Sequence, residues 1–228
     1  MNMTTIIVNG AFGKMGSTTC QTIEQSKNFK LIAKLGRKDK LDLTIASSQP
    51  DLVIDFTNAH SVYQNTEFLL NNKIKCVIGA SGLSGEQVQS LSKVAKENKT
   101  GCIIAPNFSL GAILMMKFSA IGAKYFPEVE IIETHHQQKL DSPSGTAVKT
   151  AQLINDARRN KKNSISSEEL ISGARGANVY ETNIHSLRLP GYLASQQVLF
   201  GGMGENLTIS HNSISRDCFM PGVLLACN

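Results

Sequence analysis

A chain of 228 residues, 41% hydrophobic and 18% charged, is long enough to bury a core in one large or two small domains and has an ordinary soluble, globular composition. No apolar run approaches the roughly 18 residues a membrane-spanning helix needs; Met1 to Gly10 reads as a strand entering a glycine turn, not a signal peptide, so the expected location is the cytoplasm. Cys20, Cys76, Cys102, Cys218 and Cys227 are scattered without a C-x-x-C pair, which speaks for reduced thiols and against zinc, and the net charge of +5, spread along the chain, suits small anionic substrates rather than nucleic acid or membrane.

Thr5 to Asn9 is a β-branched apolar run, read as a strand, followed by Gly10-Ala11-Phe12-Gly13-Lys14-Met15-Gly16 and a helix through Ser17 to Gln25. The spacing G-x-x-G-x-x-G is not the G-x-G-x-x-G fingerprint, because Val8 stands two before Gly10. The physics carries over: Gly10 suits a tight turn, Gly13 the close approach of a pyrophosphate, and Gly16 the packing of helix on strand. Phe29 to Leu35 is a second strand, whose end selects the nucleotide. An acid there binds the ribose hydroxyls of NAD, while an arginine accommodates the 2′-phosphate of NADP. Gly36-Arg37-Lys38-Asp39 has no acid at the strand end and clusters cations, so NADPH is expected. NADH stays open, because a shifted loop lets Asp39 serve as the ribose acid.

Asp51 to Phe56 and Cys76 to Ile78 read as strands, Ser61 to Asn71 as a helix, and Ser84 to Asn98 as a helix opened by a Ser84/Gln87 capping box, before a strand from Gly101 to Ala105. This alternation predicts a parallel sheet with helices on both faces and ligands at the loops that follow the strands. From Leu110 the character changes. Ala112 to Lys124 reads as a helix with Met115 and Met116 filling core, Val129 to Thr134 as a strand, and Val148 to Arg159 as a helix. Arg158 to Asn163 is a solvated basic run, Ser164 to Leu170 carries a helix-cap pattern, and Gly173-Ala174-Arg175-Gly176 is a turn. Ile184 to Leu189, Gln196 to Phe200 and Glu205 to His211 read as antiparallel strands of an α+β second domain, and Gly222 to Ala226 as a final helix returning to the first.

Between the strand ending at Thr134 and the helix from Val148, residues 133–147 concentrate two imidazoles, an ammonium, two carboxylates and a small-residue turn. A plain helix cap would explain Ser144 and Gly145, but not His135, His136 and Lys139 just upstream. Those groups can donate protons and bind carboxylates. The backbone N–H groups of Ser144, Gly145 and Thr146 are expected to be free to hold an anion at the helix start.

The run Glu133-Thr134-His135-His136-Gln137-Gln138-Lys139-Leu140-Asp141-Ser142-Pro143-Ser144-Gly145-Thr146-Ala147 resembles the E-x-H-H-x-x-K-x-D-x-P-S-G-T-A signature of the dihydrodipicolinate reductases, with every fixed position filled. Also similar to that family are the glycine turn (with Lys14 for the usual Arg), Asp55-Phe56-Thr57, Pro106 to Gly111, Arg188, and Ser215 to Phe219. Departures are Gly36 where Glu is common, Gly79-Ala80-Ser81-Gly82 for G-T-T-G, and Ala194-Ser195-Gln196 where many members have G-E-H. The resemblance spans nearly the whole chain.

It implies reduction of dihydrodipicolinate, or its hydroxylated precursor, to tetrahydrodipicolinate in the diaminopimelate route to lysine. A hydride from the nicotinamide reaches a conjugated C=C–C=N carbon, and a proton quenches the electron density left behind. The implied α/β fold is a Rossmann-like nucleotide domain over residues 1–106 and 216–228, interrupted by an α+β domain over 107–215. The second domain, with a mixed or antiparallel sheet, would bind substrate and join a homotetramer. Carried over residue by residue, Gly10, Phe12, Gly13, Lys14, Met15, Gly16, Arg37, Phe56, Gly79, Ser81, Ala105, Asn107 and Phe108 hold the nucleotide. His136, Ser144, Gly145, Thr146 and Ser81 bind substrate, and no metal takes part. His135 donates the proton, with Lys139 as the alternative donor. Three other readings remain: a nicotinamide dehydrogenase acting on an amino or hydroxy acid, a non-catalytic dinucleotide sensor, and a metal hydrolase using His135, His136 and Asp141.

Overall fold

The computed structural model describes residues 3–158 and 168–228. The basic run beyond Arg158 and most of the Ser164 to Leu170 cap pattern lie outside the described residues. The chain forms two compact units, Met1–Phe108 with Phe219–Asn228, and Ser109–Cys218.

In the first unit, β1 (Thr4–Asn9), β2 (Phe29–Leu35), β3 (Leu52–Asp55), β4 (Lys75–Ile78) and β5 (Cys102–Ile104) make one parallel sheet in the order β2-β1-β3-β4-β5. All four residues of β3 are buried, as a strand covered on both faces requires. Alternate residues of β1 feed two cores. Ile6 and Val8 pack with Cys20 and Ile23 of α1 (Lys14–Glu24) and with Met220 and Val223 of α7 (Met220–Cys227). Ile7 packs with Leu69 and Leu70 of α3 (Val62–Asn71) and Leu91 of α4 (Gly85–Glu97). The Ser84/Gln87 box closes the start of α4. Gly222 brings α7 hard against the chain: a Cβ there would sit 2.0 Å from the Phe108 carbonyl oxygen.

One helix of this unit, α2 (Leu41–Ser48), was not expected from the sequence. It is short, has no side-chain cap at Lys40, and is rich in Thr, Ile and Ser, so propensity alone does not announce it.

In the second unit, α5 (Leu110–Gly122) and α6 (Gly145–Ala157) pack on one face of a sheet in the order β10-β9-β6-β8-β7. Its strands are β6 (Glu128–His135), β7 (Ala177–Val179), β8 (Thr182–Arg188), β9 (Ala194–Gly202) and β10 (Glu205–Ser213). The core is Met115 and Met116 from α5, Ala147, Ala151 and Ile154 from α6, and Val129, Ile131, Ile184, Val198 and Phe200 from the strands. β8, β9 and β10 alternate in direction, as expected of antiparallel strands, but they are not successive neighbours in the sheet. β8 lies between β6, to which it is parallel, and the short edge strand β7; it does not pair with β9. Non-local pairing of this kind leaves no trace in a strand's own periodicity.

Candidate active site

The first unit's sheet has its switch point between β1 and β3, because the chain leaves β1 toward β2 and returns to its other side. Open α/β sheets bind ligands there, outside the carboxyl ends of the strands. A cleft of about 920 Å³ lies at that edge, lined among others by Gly10, Phe12, Gly13, Arg37, Asp39 and Phe56. Gly10 has φ +80°, and a Cβ on it would meet the Phe56 carbonyl oxygen at 2.5 Å, so both the turn and the close approach demand glycine. The N–H groups of Gly10 and Ala11 both donate to the Leu35 carbonyl, at 2.9 Å each.

Behind the turn sits a buried carboxylate. Asp55 is wholly inaccessible and accepts from Asn9 Nδ2 (3.0 Å), Asn65 Nδ2 (2.9 Å), Thr57 N (2.8 Å) and Thr57 Oγ1 (2.5 Å). Four donors satisfy the charge and tie the end of β3 to β1 and α3, fixing the cleft floor.

The remaining residues expected at the nucleotide are not in the cleft lining. Lys14 is the exposed first residue of α1. Gly16 is a packing residue, since a Cβ would lie 2.1 Å from the Gly10 carbonyl oxygen. Met15, Ala105 and Phe108 pack into or against the core. Gly79 makes room for the edge-on rings of Phe56 and Phe108, 5.7 Å apart. Asn107 follows β5, and Ser81 is exposed in the loop after β4.

In the second unit the polar run over residues 133–147 is built around Glu133. Period-two geometry puts Glu133 and His135 on the same face of β6 as Val129 and Ile131, the face covered by helices. Glu133 is fully buried. Its Oε2 lies 2.5 Å from His135 Nδ1 and accepts from Arg188 Nη1 at 3.0 Å; its Oε1 accepts from Arg188 Nη2 (3.0 Å) and Ser144 N (3.2 Å). Burial by itself would push this carboxyl up, but hydrogen bonds from Arg188, Ser186 and His135 outweigh it and hold Glu133 below the ordinary 4.5.

The ionised carboxylate selects the imidazole tautomer. Glu133 accepts a hydrogen bond from Nδ1–H of His135, so Nε2, which has no protein partner among the described residues, is the nitrogen left for chemistry. Burial pushes His135 below the ordinary 6.5, with Lys139 and Arg188 acting the same way against the opposing pull of Glu133. Its protonated form is thus scarcer at neutral pH than a free histidine's.

Lys139 Nζ pairs with both oxygens of Asp141, at 2.7 and 2.6 Å. Asp141 is thereby held well below the usual carboxylate range. The buried His136 Nδ1 has no hydrogen-bond partner among the described residues. Ser144 caps α6, its Oγ accepting from Ala147 N at 3.2 Å. The expected free N–H of Ser144 is therefore not free; Glu133 takes it. Gly145 and Thr146 form the first turn, and a Cβ on Gly145 would meet nothing within 4 Å. Among the described residues, no three His, Cys, Asp or Glu side chains gather in a way that could hold a metal ion.

Residues 4–108 match the family model described as dihydrodipicolinate reductase, N-terminus, and residues 111–228 match that described as dihydrodipicolinate reductase, C-terminus. The chain belongs to the dihydrodipicolinate reductase family. It is 54% identical over 224 residues to the 4-hydroxy-tetrahydrodipicolinate reductase of Legionella pneumophila (strain Lens), covering 98% of this chain and 92% of the relative. The 4-hydroxy-tetrahydrodipicolinate reductase of Coxiella burnetii (strain Dugway 5J108-111) is 46% identical over 222 residues, covering 97% and 91%. Among solved structures, the dipicolinate-bound dihydrodipicolinate reductase from Paenisporosarcina sp. TG-14 superimposes with a TM-score of 0.90 at 42% identity, over 99% of this chain and 93% of the other.

Three residues that organise these sites were not singled out from sequence as site residues. Glu133 was within reach, since it stands two positions before His135 on a strand and must share its face. Arg188, similar to the family's pattern in sequence but given no role there, is brought to Glu133 by the parallel register that pairs it with His135. Asp55 is placed by its register with Asn9.

Proposed function

We propose that the chain reduces 4-hydroxy-tetrahydrodipicolinate, or the dihydrodipicolinate derived from it, to tetrahydrodipicolinate in the diaminopimelate route to lysine. The observation that carries this reading is the Glu133–His135 pair, a buried anion orienting an imidazole whose second nitrogen has no protein partner among the described residues. When bound, the reduced nicotinamide supplies the hydride. The chain's own residues do the rest. His135 Nε2, once protonated, delivers the proton that quenches the charge left on the ring; Lys139 is the second candidate. His136, Lys139, the Ser144 hydroxyl and the first-turn amides of Gly145 and Thr146 offer cations and donors to the two carboxylates of the ring. Two carboxylates arriving beside His135 favour its imidazolium and so offset its depressed acidity constant.

The cleft of the first unit fits a pyridine nucleotide, since Gly10 leaves its backbone bare where a Cβ could not stand and Gly13 starts α1 beside it. Arg37 on the lining supports NADPH through the 2′-phosphate. Ile132 and Leu199 point to the sheet face opposite the helices, with Leu187 beside them. We read that face as the one joining copies into a cytoplasmic homotetramer, which sedimentation would test.

The deciding experiment is a coupled assay in which the substrate is generated freshly and each reduced nucleotide is followed by its near-ultraviolet absorbance. Dicarboxylate-dependent oxidation of the nucleotide is expected. Binding of nucleotide without turnover would favour the sensor, and turnover of amino or hydroxy acids instead would favour a different dehydrogenase.

A further inference from the structure

Arg188, Glu133, Lys139 and Asp141 close into two ion pairs, and the pairs are built unequally. Arg188 meets a Glu133 carboxylate that is wholly inaccessible. Lys139 Nζ meets Asp141 at 2.7 and 2.6 Å, with the lysine side chain 19% exposed and the aspartate 69%. The backbone beneath this second pair is pinned. Arg188 donates to the carbonyls of both its members, Nε to Lys139 and Nη2 to Asp141, and Lys139 N donates to the His136 carbonyl at 3.1 Å. A rearrangement of Lys139 and Asp141 therefore runs through their side chains alone.

A carboxylate that leaves its cation must find other donors. Glu133 is enclosed by protein, and a buried charge stripped of its partner is costly. Asp141 faces water, which solvates it directly, and an exposed ion pair is worth little. Of the two pairs, only this one opens cheaply. A ligand carboxylate arriving beside Lys139 offers the ammonium the same charged acceptor that Asp141 offers in the free protein.

We infer that Asp141 is a built-in counter-ion that stands in for a substrate carboxylate: Lys139 exchanges Asp141 for one carboxylate of the ring when the dicarboxylate binds, and Asp141 turns to water. Asp141 is thus a positioning residue that acts through Lys139. It holds the ammonium at the site in the free protein and competes with every anion that comes to it. A lone anion gains too little to displace it. A diacid whose other carboxylate is already held at the start of α6 brings its second to Lys139 at high effective concentration, and does displace it. The inference rests on the function proposed above and adds to it how the site opens for a diacid and lets it go.

The test is calorimetric binding of pyridine-2,6-dicarboxylate to the full chain, with melting temperature as a check on folding and KM and kcat measured alongside. Asp141→Asn should tighten the dicarboxylate by about three- to tenfold, because the ligand no longer has a carboxylate to displace. KM should fall with it, while kcat holds or drops as the ligand leaves more slowly. Acetate, a lone carboxylate, should compete in Asp141→Asn at concentrations that leave the unaltered protein untouched. Asp141→Glu restores the charge and should return the affinity toward the unaltered value. In a Lys139→Met background, Asp141→Asn should change dicarboxylate binding by about twofold or less, since the partner it competes for is gone. Glu205→Gln makes the same change in net charge at the far end of the sheet, where exposed Glu205 pairs with Gly202 while His135 pairs with Ala194, and should alter nothing. If Asp141→Asn weakens the dicarboxylate or leaves it unchanged, or if the gain survives Lys139→Met or is matched by Glu205→Gln, the exchange is overturned while the proposed function stands. If the unaltered protein binds no dicarboxylate, both fall.

Discussion

Arg188 and Glu133 meet side by side, Nη1 to Oε2 and Nη2 to Oε1 at 3.0 Å each, with the carboxylate wholly buried. The same guanidinium donates to the carbonyls of Lys139 (3.3 Å) and Asp141 (2.7 Å), and the same carboxylate holds His135 and the Ser144 amide. One pair thus joins β6, β8, the loop between β6 and α6, and the start of α6. The position of the imidazole is a consequence of that joint.

Removing one partner of a buried pair leaves the other charge unmet. Arg188→Ala should cost about 3–5 kcal/mol of stability. Denaturant titration of the two proteins measures it, and a loss below about 1 kcal/mol would show that Glu133 finds another partner or takes up a proton.

The depressed acidity constant of Glu133 sets the acid limb of stability. A carboxyl held lower in the folded chain than the ordinary 4.5 contributes in full above 4.5, and that contribution is lost as pH falls through the depressed value. Denaturation midpoints should drop below pH 4.5 in the unaltered protein. Glu133→Gln should be less stable at neutral pH and show a flatter acid limb.

His135 sets the pH dependence of turnover if it donates the proton. The donor must be protonated, so the rate falls as pH rises through its acidity constant. In kcat/KM, which reports the free protein, that limb should lie below 6.5; in kcat, with the dianion bound, it should move up. His135→Gln should lower kcat by about 10²–10⁴-fold and abolish the limb. Persistence of the limb in that variant would move the role to Lys139.

Two glycines should respond oppositely to alanine. Gly16→Ala drives a methyl to within 2.1 Å of the Gly10 backbone oxygen, and should cost about 1–3 kcal/mol and loosen nucleotide binding. Gly145→Ala meets nothing within 4 Å, so its melting temperature should hold. Its KM for the dicarboxylate should rise, because the methyl stands beside the first-turn amide. Equal destabilisation by the two would contradict the packing described.

A buried carboxylate with four donors tolerates no fifth. Asp55→Asn turns an amide N–H toward Asn9, Asn65 or Thr57, and should cost about 1–3 kcal/mol and raise the KM for nucleotide more than it lowers kcat. An unchanged nucleotide KM would make Asp55 purely a folding residue.

The strand–glycine–helix opening, the alternation through β5, the helix caps at Ser84 and Ser144, and the strand-to-helix placement of the His-His-Lys run are all legible in the sequence. Each is set by neighbours in the chain: periodicity, caps and turns act over a few residues. The short α2 and edge strand β7 were not legible, because neither carries a pattern long enough to stand above its surroundings.

What the amino-acid sequence determined by itself is the family, the two kinds of layered sheet and the inventory of groups that can do the chemistry. What only the tertiary structure decided is how those groups are charged and aimed. Arg188 lies 55 positions from Glu133 and meets it through the parallel pairing of β6 with β8. The Ser144 amide is spent on that carboxylate, His135 is pushed toward neutrality by burial, and Asp39 is folded back to the end of β2. Burial and charge proximity are properties of space, and a chain does not carry them until it has closed on itself.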